Sequence, residues 1–235
     1  LSGGVGEDFL EGGAGSDRLF GGLGDDVYKI DLSYSGFLDR AGYDDPDQNR
    51  DVIVVGKNNG EIITIGDNSL GEVYAGSGND IITTGSGINY IYGYSGNDII
   101  STGSGDDTIY GGGGDDTLIN GSGNDFIYGQ DGDDIFYNWS GTDYYDGGQG
   151  NDTIISDFSS KEIEGIVDPQ SFEFYLNLNT GIHGLPEWTT DPDTVINVEN
   201  YTLIGDFNAE LIGNFKDNIL ITDLGNDKIY GGLGN

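Results

Sequence analysis

Aspartate is the residue of this chain that can do chemistry, and it recurs at one fixed spacing. Asp80, Asp98, Asp107, Asp116, Asp125, Asp134, Asp143 and Asp152 all stand at one phase of a nonapeptide repeat. Asp8, Asp17 and Asp26 keep the same step near the start, and Asp227 has the same local setting near the end. Each follows a glycine-rich stretch, as in TGSGDDTIY (Thr102 to Tyr110) and GGGGDDTLI (Gly111 to Ile119). Asp is the sixth residue of a nonapeptide G-G-x-G-x-D-x-U-x, with U a large apolar residue. Glycines at positions one, two and four let the chain turn through φ > 0 and bring backbone carbonyls close together. The carboxylate adds charge beside those carbonyls. Oxygen-only ligands, several of them backbone, favour Ca²⁺ over the smaller, strictly octahedral Mg²⁺. One histidine and no cysteine serve transition metals poorly. The plain alternative is a solvated acidic surface, but solubility does not require Asp to keep one phase of a glycine turn.

Other chemistry is poorly supported. His183 lies in the loop-like GIHGLPEW with no HExxH around it, so it reads as a surface-loop histidine. No G-x-S-x-G elbow places a serine nucleophile, and the glycine turns lack the lysine of a phosphate cradle. Among 42 Asp and Glu some pair will have a glycosidase-like separation by chance. No catalytic residue is assigned, and the chain is read as non-enzymatic.

The Asp must be positioned by the repeat. Ten units begin at residues 66, 75, 84, 93, 102, 111, 120, 129, 138 and 147 without a register slip. Their eighth residues are Val73, Ile82, Ile91, Ile100, Ile109, Leu118, Ile127, Phe136, Tyr145 and Ile154. So short a unit cannot bury its apolar residue alone and must stack on its neighbours. The predicted element is a strand of about three residues with the eighth side chain inward.

Five segments follow. Residues 1–29 hold N-terminal repeats. Residues 30–65 form a β-rich insert with the runs DVIVV and EIITI, four repeat lengths long and compatible with degenerate coils that stay in phase. Residues 66–158 are the main array. Residues 159–204 form a second insert, whose SFEFYLNLNTG places Phe172, Phe174, Leu176 and Leu178 on one face of a strand. Residues 205–235 are partly degenerate repeats, out of phase with the main array and expected to form a separate short stack. Leu1 and Ser2 fit the end of one unit and Gly231 to Asn235 the start of another, so a piece of a longer array is expected.

Composition sets the partners. The 42 acidic residues against 8 basic ones give a net charge of −34. Gly66 to Ile155 holds 15 acidic residues and no basic one. Such a surface repels nucleic acid and anionic membranes, and no apolar run has transmembrane length. Low hydrophobicity with this charge would ordinarily signal disorder, unless bound cations supply the missing positive charge. Without cysteine, no disulfide can staple the fold.

The units resemble the hemolysin-type calcium-binding repeats of the RTX (repeats-in-toxin) family. The resemblance implies an all-β fold: a parallel β-roll with two nonapeptides per coil, here carrying two β-rich inserts. It implies Ca²⁺ between turns two nonapeptides apart, held by the sixth-position Asp side chains and by carbonyls at positions two and four. Carried over, the carbonyl ligands are those of Gly4, Gly6, Gly13, Gly15, Gly22, Gly24, Gly76, Gly78, Gly96, Gly103, Gly105, Gly112, Gly114, Gly121, Gly123, Gly132, Gly148 and Gly150. ISDF (Ile155 to Phe158) is similar to the segment that caps such rolls, and VENYTLIG to a linker of the family. The family also implies a secreted or cell-surface protein, exported by bacterial type I secretion, with the repeats part of a toxin or adhesin.

Taken every second unit, the Asp fall on two edges. One carries Asp80, Asp98, Asp116, Asp134 and Asp152; the other Gly71, Asn89, Asp107, Asp125 and Asp143. About six Ca²⁺ sites are expected in the main roll, and one between Asp8 and Asp26. Departures are Glu210 and Asn218 for Asp, and Tyr94, Gln130 and Trp139 at position two. Position nine of one face is Tyr74, Tyr92, Tyr110 and Tyr128, with Tyr90, Phe126 and Tyr144 at position seven. That aromatic face either stacks across coils or is covered by Phe172 to Leu178 or a partner. Two functions remain open: a Ca²⁺-dependent structural and secretion module, or a glycan- or peptide-binding or enzyme-associated module whose site the inserts form.

Overall fold

A computed structural model describes residues 2–5, 8–11, 18–23, 27–30, 38–41, 50–57, 62–64, 70–138, 140–157, 173–184, 193–205 and 208–234. Every regular element among them is a strand. In the main array each nonapeptide supplies one. β8 (Leu70–Ser77), β10 (Asn89–Ser95), β12 (Thr108–Gly113), β14 (Phe126–Asp131) and β16 (Tyr144–Gln149) lie side by side in one sheet. β9 (Ile81–Thr83), β11 (Ile99–Ser101), β13 (Thr117–Ile119), β15 (Ile135–Asn138) and β17 (Thr153–Asp157) lie in the other. All these pairs are parallel, with Ile91 beside Ile109, Ile109 beside Ile127, and Ile100 beside Leu118. Each unit thus pairs with the next but one, so one coil holds two nonapeptides and the fold is a parallel β-roll.

The apolar column forms the core. Val73, Ile82, Ile91, Ile100, Ile109, Leu118, Ile127, Phe136, Tyr145 and Ile154 are each at most 1% exposed. Burial of one such side chain contributes about 1.5–3 kcal/mol. One coil offers only two of them, so stability comes from stacking.

The inserts join the same two sheets. β5 (Leu38–Ala41) and β7 (Ile62–Thr64) lie in the sheet of β9, and β6 (Arg50–Lys57) in the sheet of β8. Their spacing differs from that of the main array. Val27 of β4 (Val27–Ile30) faces Val52, which faces Glu72, so each of these coils is longer than two nonapeptides.

The second insert departs from expectation twice. β18 (Glu173–Asn177) pairs antiparallel with β19 (Ile182–Gly184), which pairs antiparallel with β20 (Asp193–Ile196); β20 then rejoins β16 in parallel. Phe174, Leu176 and Leu178 are buried in the core and extend the roll instead of covering the tyrosine face; Phe172 lies outside the described residues. His183, expected in a loop, belongs to β19, in register with Asp193. The closing units form no separate stack. β21 (Asn200–Ile204) pairs with β17, and β22 (Asn208–Ile212) with β18, so both sheets run on to β23 (Leu220–Ile221) and β24 (Lys228–Tyr230). The hairpin absorbs the phase difference.

Candidate metal centre

The turns between strands are built from backbone conformations that side chains resist. Gly76 and Gly78 have φ of 113° and 126°, and Gly112 and Gly114 have 124° and 126°. At position two, Tyr94 and Gln130 adopt φ of 76° and 81°, so these departures keep the turn at a cost in strain. The carbonyls point along the axis of the roll. A Cβ on Gly112 would lie 2.1 Å from the Tyr94 oxygen, and one on Gly114 2.2 Å from the Gly96 oxygen. Positions two and four thus aim oxygens at the equivalent turn of the next coil.

The Asp rows stand beside these carbonyls and are buried. Asp80 N–H donates to Asp98 Oδ1 (2.8 Å), Asp98 N–H to Asp116 Oδ1 (2.7 Å), Asp116 N–H to Asp134 Oδ1 (2.8 Å), and Asp134 N–H to Asp152 Oδ1 (2.9 Å). One oxygen of each carboxylate thereby joins two coils. The other does not: Oδ2 of Asp98, Asp107, Asp116, Asp134 and Asp152 is buried without a hydrogen-bond partner. Buried anionic oxygens without partners are costly, so a row of them at one repeat position implies a cation. Among the described residues no three carboxylate or imidazole side chains converge on one point. Each ligand set would therefore mix carboxylate and carbonyl oxygens, which suits Ca²⁺.

The model of the RTX calcium-binding nonapeptide repeat, four copies long, matches residues 1–28, 74–109, 92–127, 110–145, 119–154 and 204–235, more than half of the chain. The chain belongs to that family. No curated protein matches it. RTX repeats bind Ca²⁺, and the buried Asp rows of this RTX roll fit that ion.

The two edges differ in detail. Beyond Asp152, whose N–H donates to Glu199 Oε2 (2.9 Å), the first edge ends at the buried Glu199, and Lys216 Nζ makes an ion pair with its Oε1. On the second edge Asn89 N–H donates to Asp107 Oδ1 (2.8 Å), Asp107 N–H to Asp125 Oδ1 (2.7 Å), Asp125 N–H to Asp143 Oδ1 (2.9 Å), and Asp143 N–H to Asp193 Oδ1 (2.8 Å). Asn89 gives its amide to the Gly87 carbonyl and to Asp107 Oδ1, which leaves its own buried Oδ1 without a partner. Asn89 thus presents an amide carbonyl oxygen in place of a carboxylate oxygen.

Burial pushes the Asp carboxyls upward: Asp98, Asp107, Asp134 and Asp143 to about 6, Asp125 and Asp152 to about 7, and Asp116 to about 8. Backbone N–H donors offset part of this, and neighbouring carboxylates add to it. A bound divalent cation reverses the balance by favouring the charged form.

Elsewhere the sites are less complete. A Cβ on Gly3 would lie 2.3 Å from Asp8 Oδ2, and Gly4 pairs with Gly22 across β1 (Ser2–Val5) and β3 (Arg18–Leu23). Asp17, Asp26, Gly6, Gly13, Gly15, Gly24 and Trp139 lie outside the described residues. Asp227 Oδ1 accepts the Ala209 N–H (3.0 Å), as in the main rows. Asn218 Oδ1 accepts the Asn214 N–H (2.8 Å), and its amide donates to the Glu199 carbonyl.

Three features escaped the sequence. Asp193 and Glu199 continue the rows, but they follow an insert that hides their phase. Position-one glycine makes room for the carboxylate: a Cβ on Gly93, Gly111, Gly129 or Gly147 would lie 2.1–2.5 Å from Oδ2 of its own unit's Asp. Position five forms an exposed ladder, with Asn97 N–H on Asn79 Oδ1, Asp115 N–H on Asn97 Oδ1 and Asp133 N–H on Asp115 Oδ1. The Asn and Asp before the sixth-position Asp were visible as its signal.

Proposed function

We propose that this chain is a Ca²⁺-dependent structural and secretion module of a larger exported protein, a toxin or adhesin, that folds when it meets extracellular calcium. The observation that carries it is the row of buried, partnerless Oδ2 atoms at Asp98, Asp116, Asp134 and Asp152. Within Gly66 to Ile155 the excess of 15 acidic residues over none basic leaves no internal counter-charge. Extracellular modules bind Ca²⁺ with Kd of about 10⁻⁴–10⁻³ M. At ten times Kd one site adds about 1.4 kcal/mol, and six add roughly 8 kcal/mol, comparable to the stability of a domain. At cytosolic calcium that contribution vanishes while the carboxylates still repel. The module is therefore unfolded before export and folded after it.

The tyrosine face supports stacking over sugar binding. Tyr74, Tyr92, Tyr110 and Tyr128 turn their ring faces to one another, which removes those faces from a ligand. Far-ultraviolet circular dichroism tests the proposal: strand signal should grow between chelator and millimolar Ca²⁺. Equal signal in both would sink it.

A further inference from the structure

Position one divides the two edges. In the units of Asp98, Asp116, Asp134 and Asp152 it is Gly93, Gly111, Gly129 and Gly147, and the space beside each Asp Oδ2 stays open. On the other edge it carries a side chain at Thr102 and at Asn120. The Thr102 hydroxyl donates to the backbone carbonyl of Asn120 (2.7 Å). Asn120 Nδ2 instead donates to Asp125 Oδ2 at 2.8 Å and to Asp143 Oδ2 at 3.1 Å. The Tyr145 phenol lies 3.2 Å from both Asp143 Oδ2 and Asn120 Oδ1 and donates to one at a time. Asn120, Asp125 and Asp143 are at most 2% exposed. The two oxygens that are partnerless in the equivalent pairs are here taken by one amide.

We infer that Asn120 is an internal substitute for a cation: it joins Asp125 to Asp143 across the coil boundary, and that interval binds no Ca²⁺. An ion at the usual ligand distance of roughly 2.3–2.6 Å from both Oδ2 atoms would collide with amide hydrogens, since Nδ2 carries donors only. The inference rests on the calcium reading above and lowers the expected count for the main roll from six to five. It also explains why Asn120 is tolerated at position one, where the units of Asp98, Asp116, Asp134 and Asp152 have glycine.

Native mass spectrometry of the full chain in Ca²⁺, for the wild type, Asn120→Gly and Asn120→Ala, provides the test. Both variants remove the amide, and Ala keeps the backbone restraint if Gly fails to fold. The expected result is one more Ca²⁺ per chain in either variant. An unchanged count in both Asn120 variants, or a loss of one ion, overturns the inference. A wild type that binds no Ca²⁺ would instead overturn the functional reading, so the two failures are distinct.

A second inference rests on the aromatic face. Tyr74, Tyr92, Tyr110 and Tyr128 stack with ring centroids 4.9, 5.0 and 4.9 Å apart and planes within 8° of parallel. The Tyr74 phenol donates to Glu72 Oε1, a ready proton acceptor. The chain has no cysteine or methionine to intercept oxidising equivalents. We propose that this ladder is an oxidative cross-linking site that forms dityrosine between successive coils, a covalent staple for a chain that cannot make disulfides. A peroxidase with hydrogen peroxide would remove one electron and the phenolic proton from each of two rings. The two radicals join through ring carbons ortho to oxygen, and the two displaced ring hydrogens return to the phenol oxygens. Two tyrosines lose two hydrogens in all, and the peroxide leaves as two waters. Peptide mapping of the calcium-loaded chain after such treatment should find Tyr74–Tyr92, Tyr92–Tyr110 or Tyr110–Tyr128 pairs, and Tyr92→Phe/Tyr110→Phe should abolish them. Cross-links that join separate chains or tyrosines off this row, or no dityrosine at all, would overturn the proposal.

Discussion

Replacing Asp116 by Asn should change the sign of its effect with calcium. Asp116 stands mid-row: its Oδ1 accepts the Asp98 N–H, and its own N–H donates to Asp134. Asn keeps an oxygen for the first bond and leaves the backbone donor intact. With Ca²⁺ bound, the substitution removes charge from the intervals on both sides of the residue. At ten times Kd two intervals are worth about 2.8 kcal/mol, against about 1.4 kcal/mol for Asp80, which ends its regular row. Without Ca²⁺ the effect reverses. Burial pushes the Asp116 carboxyl up to about 8, so its ionised form opposes folding at neutral pH. A neutral amide relieves that opposition. Denaturant unfolding in saturating Ca²⁺ and in chelator reads both arms. Destabilisation in the first and stabilisation, or easier folding, in the second is expected. The same sign in both conditions would refute the assignment of Asp116 as a ligand.

Other consequences are as direct. Gly111→Ala places a Cβ 2.4 Å from Asp116 Oδ2 and should weaken calcium binding at least tenfold, whereas a Cβ on Gly113 meets nothing nearer than the Tyr94 carbonyl at 3.8 Å and should leave it unchanged; isothermal titration separates them. Gln130→Gly relieves a left-handed residue with φ of 81° and should raise stability by about 1 kcal/mol in thermal unfolding. In the metal-free chain, carboxyls raised to about 6–8 bind protons more tightly folded than unfolded, where they titrate near 3.8. Folding without calcium should therefore strengthen as pH falls from 8 towards 4 and be lost as pH rises through the folded values; a pH series of circular dichroism in chelator checks it.

The core and both Asp rows were legible because one nonapeptide carries all their constraints. An apolar residue in every unit fixes Ile91, Ile109 and Ile127 in one column, and the two-unit coil then sorts Asp98 and Asp116 from Asp107 and Asp125. What the sequence hid depends on contacts that the period does not encode. Asp193 and Glu199 continue the rows through a hairpin whose length breaks the count. Asn120 resembles a harmless departure from glycine until its amide is seen on two carboxylates. The closing repeats read as a separate stack because their phase is wrong; β18 to β20 restore the pairing with the parallel sheet.

The central claim is that cations lie between coils along the Asp rows. A crystal structure of the calcium-loaded chain, with anomalous scattering recorded at a wavelength sensitive to Ca²⁺, tests it most directly. Peaks should recur once per coil beside Asp98, Asp116, Asp134 and Asp152, with none between Asp125 and Asp143. Absence of peaks along the first row, or peaks only at surface carboxylates such as Asp115 and Asp133, would contradict the account.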